Sequence, residues 1–282
     1  MPPRRRGTPR APDRSGLRRR AGGDRIRAHA GSAPSGSPPR ALTVDAWYTL
    51  YYLSEAERRQ LEARRRKIWT APILRAGRSR RQALELLARR ERWVRATEAG
   101  GRTPSVPEQV ATLATWVGGR WDGPEIAERL DRTLLAAEVR TAPGVVRAIR
   151  TLDRGGIPLA VVSNVLNETG TVARTLLERV GLLPHFRAVL LSCEHPWAKP
   201  SPGLFRLAVR FLGERPDATV HIGDLAYDLR GAWAAGLGAW LYVGLRRFNG
   251  YLAGQATPAE RRRAFPLRRW EDVARALAPG PR

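Results

Sequence analysis

Cysteine is nearly absent from this chain, in which Cys193 is the only one among 282 residues. A single cysteine excludes an intramolecular disulfide, and such chains are typical of reducing compartments, so we predict a cytoplasmic location. We interpret Cys193 as a small buried residue at a strand end rather than a nucleophile. The chain also lacks any apolar run approaching the roughly 20 residues that a membrane span requires, so we expect no membrane partner.

Lysine is almost as scarce, although the chain is strongly basic, with a formal net charge of +24. Lys and Arg together number 50, and all of these residues are arginine except Lys67 and Lys199. A surface this basic first indicates a nucleic-acid or other polyanion partner. An arginine bias with abundant Ala, Gly and Pro is also the signature of a GC-rich genome. We therefore favour compositional drift and expect no nucleic-acid partner.

Residues 1–40 differ in composition from the rest of the chain, with eleven arginines, two aspartates and many Gly, Pro and Ser residues. Such a segment cannot bury enough apolar surface to offset its ordering entropy, so we predict an Arg-rich disordered tail. A polyanion-binding arm, a neutral tail and a translation start assigned too early all stay open, and the last two are favoured. No apolar stretch follows these arginines, so we do not predict a secretory or twin-arginine signal.

Apolar spacing divides the remaining residues into a helical stretch and an alternating stretch. Residues 54–140 have helix-like spacing and begin at Ser54, a predicted N-cap with Glu57 three residues on. After residue 143 helices alternate with short apolar strands, which is typical of βαβ units in a parallel sheet. The predicted helices span 145–154, 171–180, 202–212 and 228–235, and the predicted strands span 41–44, 157–162, 188–191, 219–222 and 239–243. The predicted fold class is therefore α/β, a Rossmann-like doubly wound parallel sheet formed by residues 41–53 and 141–282, with the helical stretch 54–140 inserted after the first strand.

Four short segments carry the groups that a phosphoaspartyl-transfer site needs. In chain order they are VDAWYTL (44–50), VVSN (161–164), KPSP (199–202) and IGDLAYD (222–228). Each one stands at the end of an apolar run or at the start of a helix. In a parallel α/β sheet these places converge on one crevice at the carboxyl ends of the strands.

Asp45 follows the first apolar strand and enters a turn, which exposes its carboxylate at the edge of the sheet. A carboxylate there can attack phosphorus and form an aspartyl-phosphate, which divides one difficult hydrolysis into two easier displacements. Thr49 lies four residues on and can donate a hydrogen bond within the same turn. Taken alone, this segment would be better interpreted as an aspartate that caps the next loop.

Asp224 and Asp228 follow the strand over 219–222, after a glycine that lets the backbone turn sharply. Two carboxylates near a third, that of Asp45, repel one another unless a cation lies among them, and Mg²⁺ accepts carboxylates together with phosphate oxygens. The alternative is an N-cap aspartate followed by an acidic residue favoured by the helix dipole. We favour the Mg²⁺ site because the partner segments are present.

Lys199 is unexpected in a chain that uses arginine almost everywhere, and it stands just before a Pro-Ser-Pro helix start. A compact ammonium can offset charge between a nucleophile and a phosphoryl group, whereas a guanidinium prefers fork-like geometry. Ser163 and Asn164 end a buried strand and can bind a phosphoryl oxygen through the hydroxyl and nearby backbone N–H groups. Ser-Asn is also ordinary in turns, so a turn remains the alternative interpretation.

The four segments together resemble the four motifs of the haloacid dehalogenase-like (HAD) hydrolase superfamily, and the resemblance covers residues 41–245. The helical stretch 54–140 is similar to the helical cap of the first type in that superfamily. By this resemblance Asp45 is the nucleophile, Ser163 binds the phosphoryl group and Lys199 balances charge.

The same resemblance implies a Mg²⁺ site held by Asp45, Asp224 and Asp228. The backbone carbonyl of Trp47 is implied as a further ligand, a role that does not depend on the side chain. Thr49, Ser163, Asn164 and Lys199 are the residues expected to contact the substrate.

Trp47 is also where the chain departs from that resemblance, because phosphatases of the superfamily carry a second aspartate at this position as general acid and base. An indole has no proton to exchange near neutral pH. Leaving groups that need no proton, such as acyl phosphates, would be affected least. The small residue usual before Thr49 is replaced as well, by Tyr48.

Three functional hypotheses follow from this pattern. The favoured one is a Mg²⁺-dependent phosphatase of a small phosphorylated metabolite. A catalytically weak HAD-like protein that binds or regulates is the second. A 2-haloacid dehalogenase is the third, suggested by the aromatic Trp47 but disfavoured by Asp224, where those enzymes typically have asparagine. His185, His195 and His221 lack metal-ligand spacing and are assigned structural roles, and the pattern indicates neither the substrate and pathway nor the oligomeric state.

Overall fold

A computed structural model describes residues 38–245 and 256–277 of the chain. The predicted disordered tail lies outside the described residues except for its last three positions. None of the helices in these ranges combines the length and the apolar character that a membrane crossing requires.

The eight strands within residues 38–245 and 256–277 form one large sheet and one small one. They are β1 (Ala41–Val44), β2 (Tyr51–Leu53), β3 (Val139–Thr141), β4 (Leu159–Ser163), β5 (Ala188–Leu191), β6 (Thr219–Gly223), β7 (Gly238–Tyr242) and β8 (Phe265–Leu267). Six of them pair in the order β5-β4-β1-β6-β7-β8, and every pairing in this sheet is parallel. β2 and β3 pair antiparallel as a separate two-stranded sheet.

The helices fall into the two groups that the sequence predicts. Four lie between β2 and β3: α1 (Glu55–Arg75), α2 (Arg80–Ala99), α3 (Val106–Val117) and α4 (Gly123–Leu135). The others alternate with the strands or follow the last one: α5 (Val145–Arg154), α6 (Gly170–Arg179), α7 (Gly203–Leu212), α8 (Ala226–Ala234), α9 (Pro258–Arg263) and α10 (Trp270–Leu277). Two short 3₁₀ turns, Leu183–His185 and Pro216–Ala218, precede β5 and β6.

Helices cover both faces of the large sheet, which explains why its strands are continuous apolar runs and not alternating ones. Leu42 and Val161 face a core shared with α5, α6 and α10. Ala160 and Val162 face a second core shared with α7 and α8. The predicted α/β class, a doubly wound parallel sheet, is thereby confirmed.

The order of the strands creates a switch point at the centre of the sheet. From β1 the chain proceeds to β4 and β5 on one side, then crosses to β6, β7 and β8 on the other. Ligands of open α/β sheets bind in the crevice at the carboxyl ends of the strands beside such a point. Asp45 directly follows β1 and Asp224 directly follows β6, so both lie at this crevice.

The helices between β2 and β3, here called the insertion helices, begin at side chains that cap them. Each cap accepts a hydrogen bond from a backbone N–H three residues on, which satisfies one of the donors left open by the first turn. These caps are Ser54, Ser79, Ser105 and Asp122. All four insertion helices contribute to one apolar core of their own. We retain the division into a core, residues 41–53 and 141–282, and a cap, residues 54–140, as a proposal.

Several predicted boundaries differ from those observed by one residue, and two starts differ by two residues, each for a local reason. β4 begins at Leu159 because the N–H of Ile157 still closes the preceding helix on the carbonyl of Leu152, and Pro158 has no N–H to donate. α8 begins at Ala226, two residues before the predicted start, because Asp228 caps the helix from inside its first turn.

Candidate active site

The turn after β1 holds Asp45 at the centre of the crevice. Its backbone N–H donates to the carbonyl of Ile222 at 2.9 Å, which ties it to the end of β6. The chain then turns back, with the N–H of Leu50 donating to the carbonyl of Ala46. Within this turn Tyr48 has a φ of 55°, a left-handed conformation that favours glycine. Tyr48 therefore adopts a backbone conformation that is unfavourable for a residue with a large side chain.

Lys199 joins two carboxylates at the bottom of the crevice. Its Nζ donates to Oδ1 of Asp45 at 2.5 Å and to Oδ1 of Asp228 at 2.6 Å, and all three side chains are buried. Burial disfavours the ammonium, but the charges of Asp228 and Asp45 outweigh it and raise the pKa of Lys199. Lys199 is therefore held as a cation between the two carboxylates.

Asp228 is held by two further contacts. Its Oδ2 accepts from the N–H of Leu225 at 2.9 Å, and His221 Nε2 lies 3.1 Å from its Oδ1. Burial opposes its charge, but Lys199 and His221 together hold the pKa of Asp228 below its usual range. Gly223 is required for this approach, because a Cβ there would lie 2.2 Å from the Cγ of Asp228.

His221 connects β6 to β1 beneath the site. It is fully buried, and its Nδ1 lies 2.9 Å from the hydroxyl of Thr43, the residue beside it in the parallel pairing. Burial lowers the pKa of His221, which suits a neutral imidazole that accepts from Thr43 and donates to Asp228. The structural role expected for this histidine is therefore a specific one, because it contacts Asp228, a carboxylate of the site.

Three carboxylates meet in the crevice. One oxygen from each of Asp45, Asp224 and Asp228 lies within 4.8 Å of the others, a group of the size that can hold a metal ion. Burial, above all, and the charge of Asp228 raise the pKa of Asp45 against the opposing effect of Lys199. The single ammonium offsets one of three negative charges and leaves two, and an all-oxygen donor set with that charge fits Mg²⁺.

Ser163 and Asn164, at the end of β4, contact the same group. The Ser163 hydroxyl donates to Oδ1 of Asp45 at 3.1 Å. The Asn164 side chain donates to the carbonyl of Lys199 at 2.9 Å and accepts from the N–H of Lys199 at 2.8 Å. Asn164 therefore fixes the backbone that carries the ammonium, in addition to lining the crevice.

Thr49 and Trp47 are placed differently from each other. Thr49 is fully buried, does not line the cavity described below, and has a hydroxyl with no hydrogen-bond partner among the described residues. Trp47 does line the cavity, and its indole N–H donates to Oε1 of Glu168 at 3.1 Å. The position at which phosphatases of the superfamily carry a second aspartate is therefore occupied by an indole whose N–H is bonded to a buried carboxylate.

A cavity of about 380 Å³ opens between the site residues and the insertion helices, a size suited to a small molecule. Its sheet side includes Asp45, Ser163, Lys199, Asp224 and Asp228. Its opposite side is formed by residues of α1 and α2, namely Arg58, Leu61, Glu62, Arg65, Arg95 and Glu98. The predicted site residues other than Thr49 are thereby brought together around one cavity.

The loop after β4 is bonded to the insertion helices at successive residues. Glu98 accepts from Asn164, the Gln109 amide donates to the carbonyl of Leu166, and Arg90 donates to Asn167. Arg65 pairs with Glu168, and Asp131 accepts from the N–H and hydroxyl of Thr169. These contacts are not predictable from the sequence, because the partners lie 38 to 103 residues apart and belong to no local motif.

The fold and the site define a class of protein: a doubly wound α/β sheet with an aspartate after the central strand and a lysine beside it. The chain belongs to the haloacid dehalogenase-like hydrolase family, whose sequence model matches residues 40–236.

The chain is also similar to individual proteins. It is 34% identical over 121 residues to haloacid dehalogenase-like hydrolase domain-containing protein 3 of Bos taurus. These residues cover 42% of this chain and 47% of that protein. It is 39% identical over 95 residues to phosphoserine phosphatase of Thermus thermophilus, 33% of this chain and 37% of the enzyme. The chain thus spans less than half the length of these relatives.

One solved structure extends the comparison to most of the fold. The 2-haloacid dehalogenase of Pseudomonas syringae superposes with a TM-score of 0.59 at 21% identity, covering 84% of this chain and 97% of that one. At this identity the likeness concerns the fold alone.

Proposed function

We propose that this protein is a Mg²⁺-dependent phosphatase that acts on a small phosphorylated metabolite through an aspartyl-phosphate. The observation that carries the proposal is the buried contact of Lys199 with both Asp45 and Asp228, beside a third carboxylate, that of Asp224. This arrangement presents a nucleophile and an ammonium to one phosphoryl group, beside carboxylates that would hold a divalent cation.

In the proposed reaction an oxygen of Asp45 forms a bond to phosphorus while the bond to the leaving group breaks. Water then attacks the aspartyl-phosphate, releasing inorganic phosphate and restoring the carboxylate. Lys199 offsets charge on the phosphoryl oxygens, and the Ser163 hydroxyl donates to one of them.

Asp45, Asp224, Asp228 and the Trp47 carbonyl would hold Mg²⁺. When bound, this ion would neutralise charge on the transferring phosphoryl group. In its absence the three carboxylates repel one another and the anionic substrate, so we expect turnover to require a divalent cation.

Trp47 restricts the substrates that such an enzyme can use. A leaving group that needs a proton receives none from an indole, and a missing general acid lowers a rate by about 10²–10⁴-fold. We therefore expect acyl phosphates and other activated phosphates to react faster than alkyl monoesters.

The relatives support the phosphatase over the dehalogenase. The similar Thermus thermophilus enzyme is a phosphoserine phosphatase, whereas the likeness to the Pseudomonas syringae dehalogenase is one of fold. Asp224 is the third member of the carboxylate cluster, and a third carboxylate favours a bound cation. A cation at the site in turn favours a phosphorylated substrate. The scarcity of cysteine favours a cytoplasmic location for this activity.

The proposal is tested by measuring phosphate release from alkyl monoesters and acyl phosphates, with Mg²⁺ and with EDTA. We expect Mg²⁺-dependent release that is lost in Asp45→Asn and retained in Asp217→Asn. Asp217 is a suitable control because it precedes β6, at the amino ends of the strands and therefore away from the crevice, and pairs with Arg215 at the surface. Phosphate release that survives Asp45→Asn would contradict the assignment of Asp45 as the nucleophile. No phosphate release from any of the substrates tested would favour a binding or regulatory protein.

A further inference from the structure

The interior of the insertion helices encloses a charged side chain, that of Arg90 on α2. Arg90 is 7% exposed, and its guanidinium carbon lies 3.7 Å from the centroid of the Trp69 ring on α1. Trp69 belongs to the apolar core that the four insertion helices share. Neither side chain lines the cavity beside Asp45, so this region is distinct from the candidate active site.

The positive charge of Arg90 has no carboxylate partner among the described residues. Its Nη2 contacts amide oxygens, which are neutral: Oε1 of Gln109 and, at 2.7 Å, Oδ1 of Asn167. Glu91, the adjacent acidic residue, pairs with Arg95 instead. Burial lowers the pKa of Arg90 to about 10. Buried charges in proteins are normally paired, so an unpaired cation in this core calls for an explanation.

Two N–H donors in the same region lack an acceptor within residues 38–245 and 256–277. They are Nε of Arg90 and Nε1 of Trp69, a side chain that is only 3% exposed. The Trp69 ring attracts the cation through its π face, whereas its indole N–H lies at the edge of the ring. The stacking therefore leaves both donors without a hydrogen bond, and buried donors in that state are unfavourable and few in native proteins.

The charge and the two donors together indicate the kind of group that binds there. Arginine and tryptophan side chains only donate hydrogen bonds, so their common partner has to accept and has no need to donate. A water molecule would need acceptors for its own protons, and the carbonyls of Pro104 and Leu166 already accept from the Gln109 amide. A negative ion accepts both bonds and also offsets the charge of Arg90.

We propose that a small monovalent anion, of the size of chloride, binds between Arg90 and Trp69 inside the insertion. By holding Arg90, the ion also fixes Asn167, which lines the catalytic cavity. The inference does not rest on the proposed phosphatase, since the site contains none of the reacting groups. A second pair on the same helix serves as a comparison: Arg89 lies over the Trp116 ring at 4.1 Å, but it is exposed, so water solvates its charge and no ion is needed.

Thermal unfolding of the full chain tests the proposal. Sodium chloride is compared with sodium gluconate at a constant ionic strength of about 0.3 M, so that screening is unchanged. Gluconate is too large to enter a site enclosed by buried side chains. We expect chloride to raise the melting temperature in a saturable manner, by about 3–6 °C when it is present at about thirty times its dissociation constant.

Substitutions in the two pairs assign this chloride-dependent rise to the buried one. Arg90→Met should abolish the rise, and Trp69→Phe, which keeps a ring and removes the N–H, should weaken binding about tenfold and so more than halve it. Arg89→Met and Trp116→Phe are the matched controls and should leave the rise unchanged. Because Arg90→Met also deprives Gln109 of a donor, Trp69→Phe decides the test if that variant does not fold.

Crystals soaked in sodium bromide locate the ion directly, because bromide scatters anomalously. We expect a bromide peak within hydrogen-bond distance of Arg90 Nε and Trp69 Nε1. The absence of that peak, or a water molecule in its place, would overturn the inference. An equal chloride-dependent rise in the wild-type protein and in Trp69→Phe would overturn it as well, since the rise would then come from anions bound elsewhere on this basic chain.

Discussion

Replacing Lys199 by methionine tests the buried charge group directly. The substitution keeps the length of the side chain and removes the ammonium that contacts Asp45 and Asp228 at 2.5 and 2.6 Å. Because both carboxylates are buried, each loses a charged donor that water cannot replace. Breaking a buried ion pair by removing one partner destabilises a protein by about 3–5 kcal/mol, and we expect Lys199→Met to lose that much in free energy of unfolding.

The loss should depend on pH in a direction set by the pKa shifts. Asp228 has a lowered pKa in the folded protein, so its stabilisation is present above its unfolded value, near 3.8, and is lost as pH falls through the folded value. Lys199 has a raised pKa, so its contribution is present below its unfolded value, near 10.5, and is lost as pH rises through the folded value. The difference between the two proteins should therefore be largest between about pH 5 and 9 and shrink in acid, where the carboxylates of the variant take up protons.

Urea unfolding followed by tryptophan fluorescence, in EDTA so that no cation replaces the ammonium, measures this difference. Lys67→Met is the matched control, since Lys67 is the other lysine and is exposed on α1. We expect it to change the free energy of unfolding by less than about 0.5 kcal/mol. If Lys199→Met unfolds at the same urea concentration as the wild-type protein at neutral pH, the reasoning from buried charge is refuted.

Three further predictions concern other parts of the site. Gly223→Ala should lower stability by about 1–3 kcal/mol and abolish Mg²⁺-dependent turnover, because its Cβ would displace Asp228; a variant with wild-type melting temperature and activity would contradict this. Trp47→Asp should raise the rate for alkyl monoesters relative to acyl phosphates by up to about 10²-fold, because it supplies a carboxyl group that can give a proton to the leaving group. That carboxyl group would lie beside Glu168, where the indole now lies. An unchanged ratio of the two rates would count against this prediction. Cys193, whose pKa burial raises to about 12, should react with iodoacetamide at pH 8 about 10³-fold more slowly than in the urea-unfolded chain, and comparable rates would show the assignment to be wrong.

Local patterns were sufficient for most of the sheet. The helix over Val145–Arg154 begins after Pro143-Gly144 and ends before a pair of glycines, and the strand over Ala188–Leu191 is an apolar run between polar residues. Both were predicted with the observed bounds. β2 and β3 were not predicted, because a three-residue strand has too little periodicity and is stabilised by a partner nearly 90 residues away.

The site, like the sheet, has parts that the sequence predicts and parts that it does not. Ser163 ends a strand of the sheet, and Asp45, Asp224 and Asp228 follow strands beside it, so their meeting could be inferred from the convergence of parallel strands at their carboxyl ends. The contacts of Glu168 with Trp47 and Arg65 could not, because they depend on how the insertion helices sit on the sheet. The role of His221 had one available signal: a polar residue within an apolar strand, beside Thr43 in the neighbouring strand.

Detection of a phosphoryl group on Asp45 tests the central claim most directly. The protein would be mixed with an acyl phosphate and Mg²⁺, quenched in acid during turnover, digested and examined by mass spectrometry. The account predicts one phosphoryl group on the peptide that contains Asp45, sensitive to hydroxylamine and absent from Asp45→Asn. Turnover with no such adduct, or with the phosphoryl group on another residue, would contradict it.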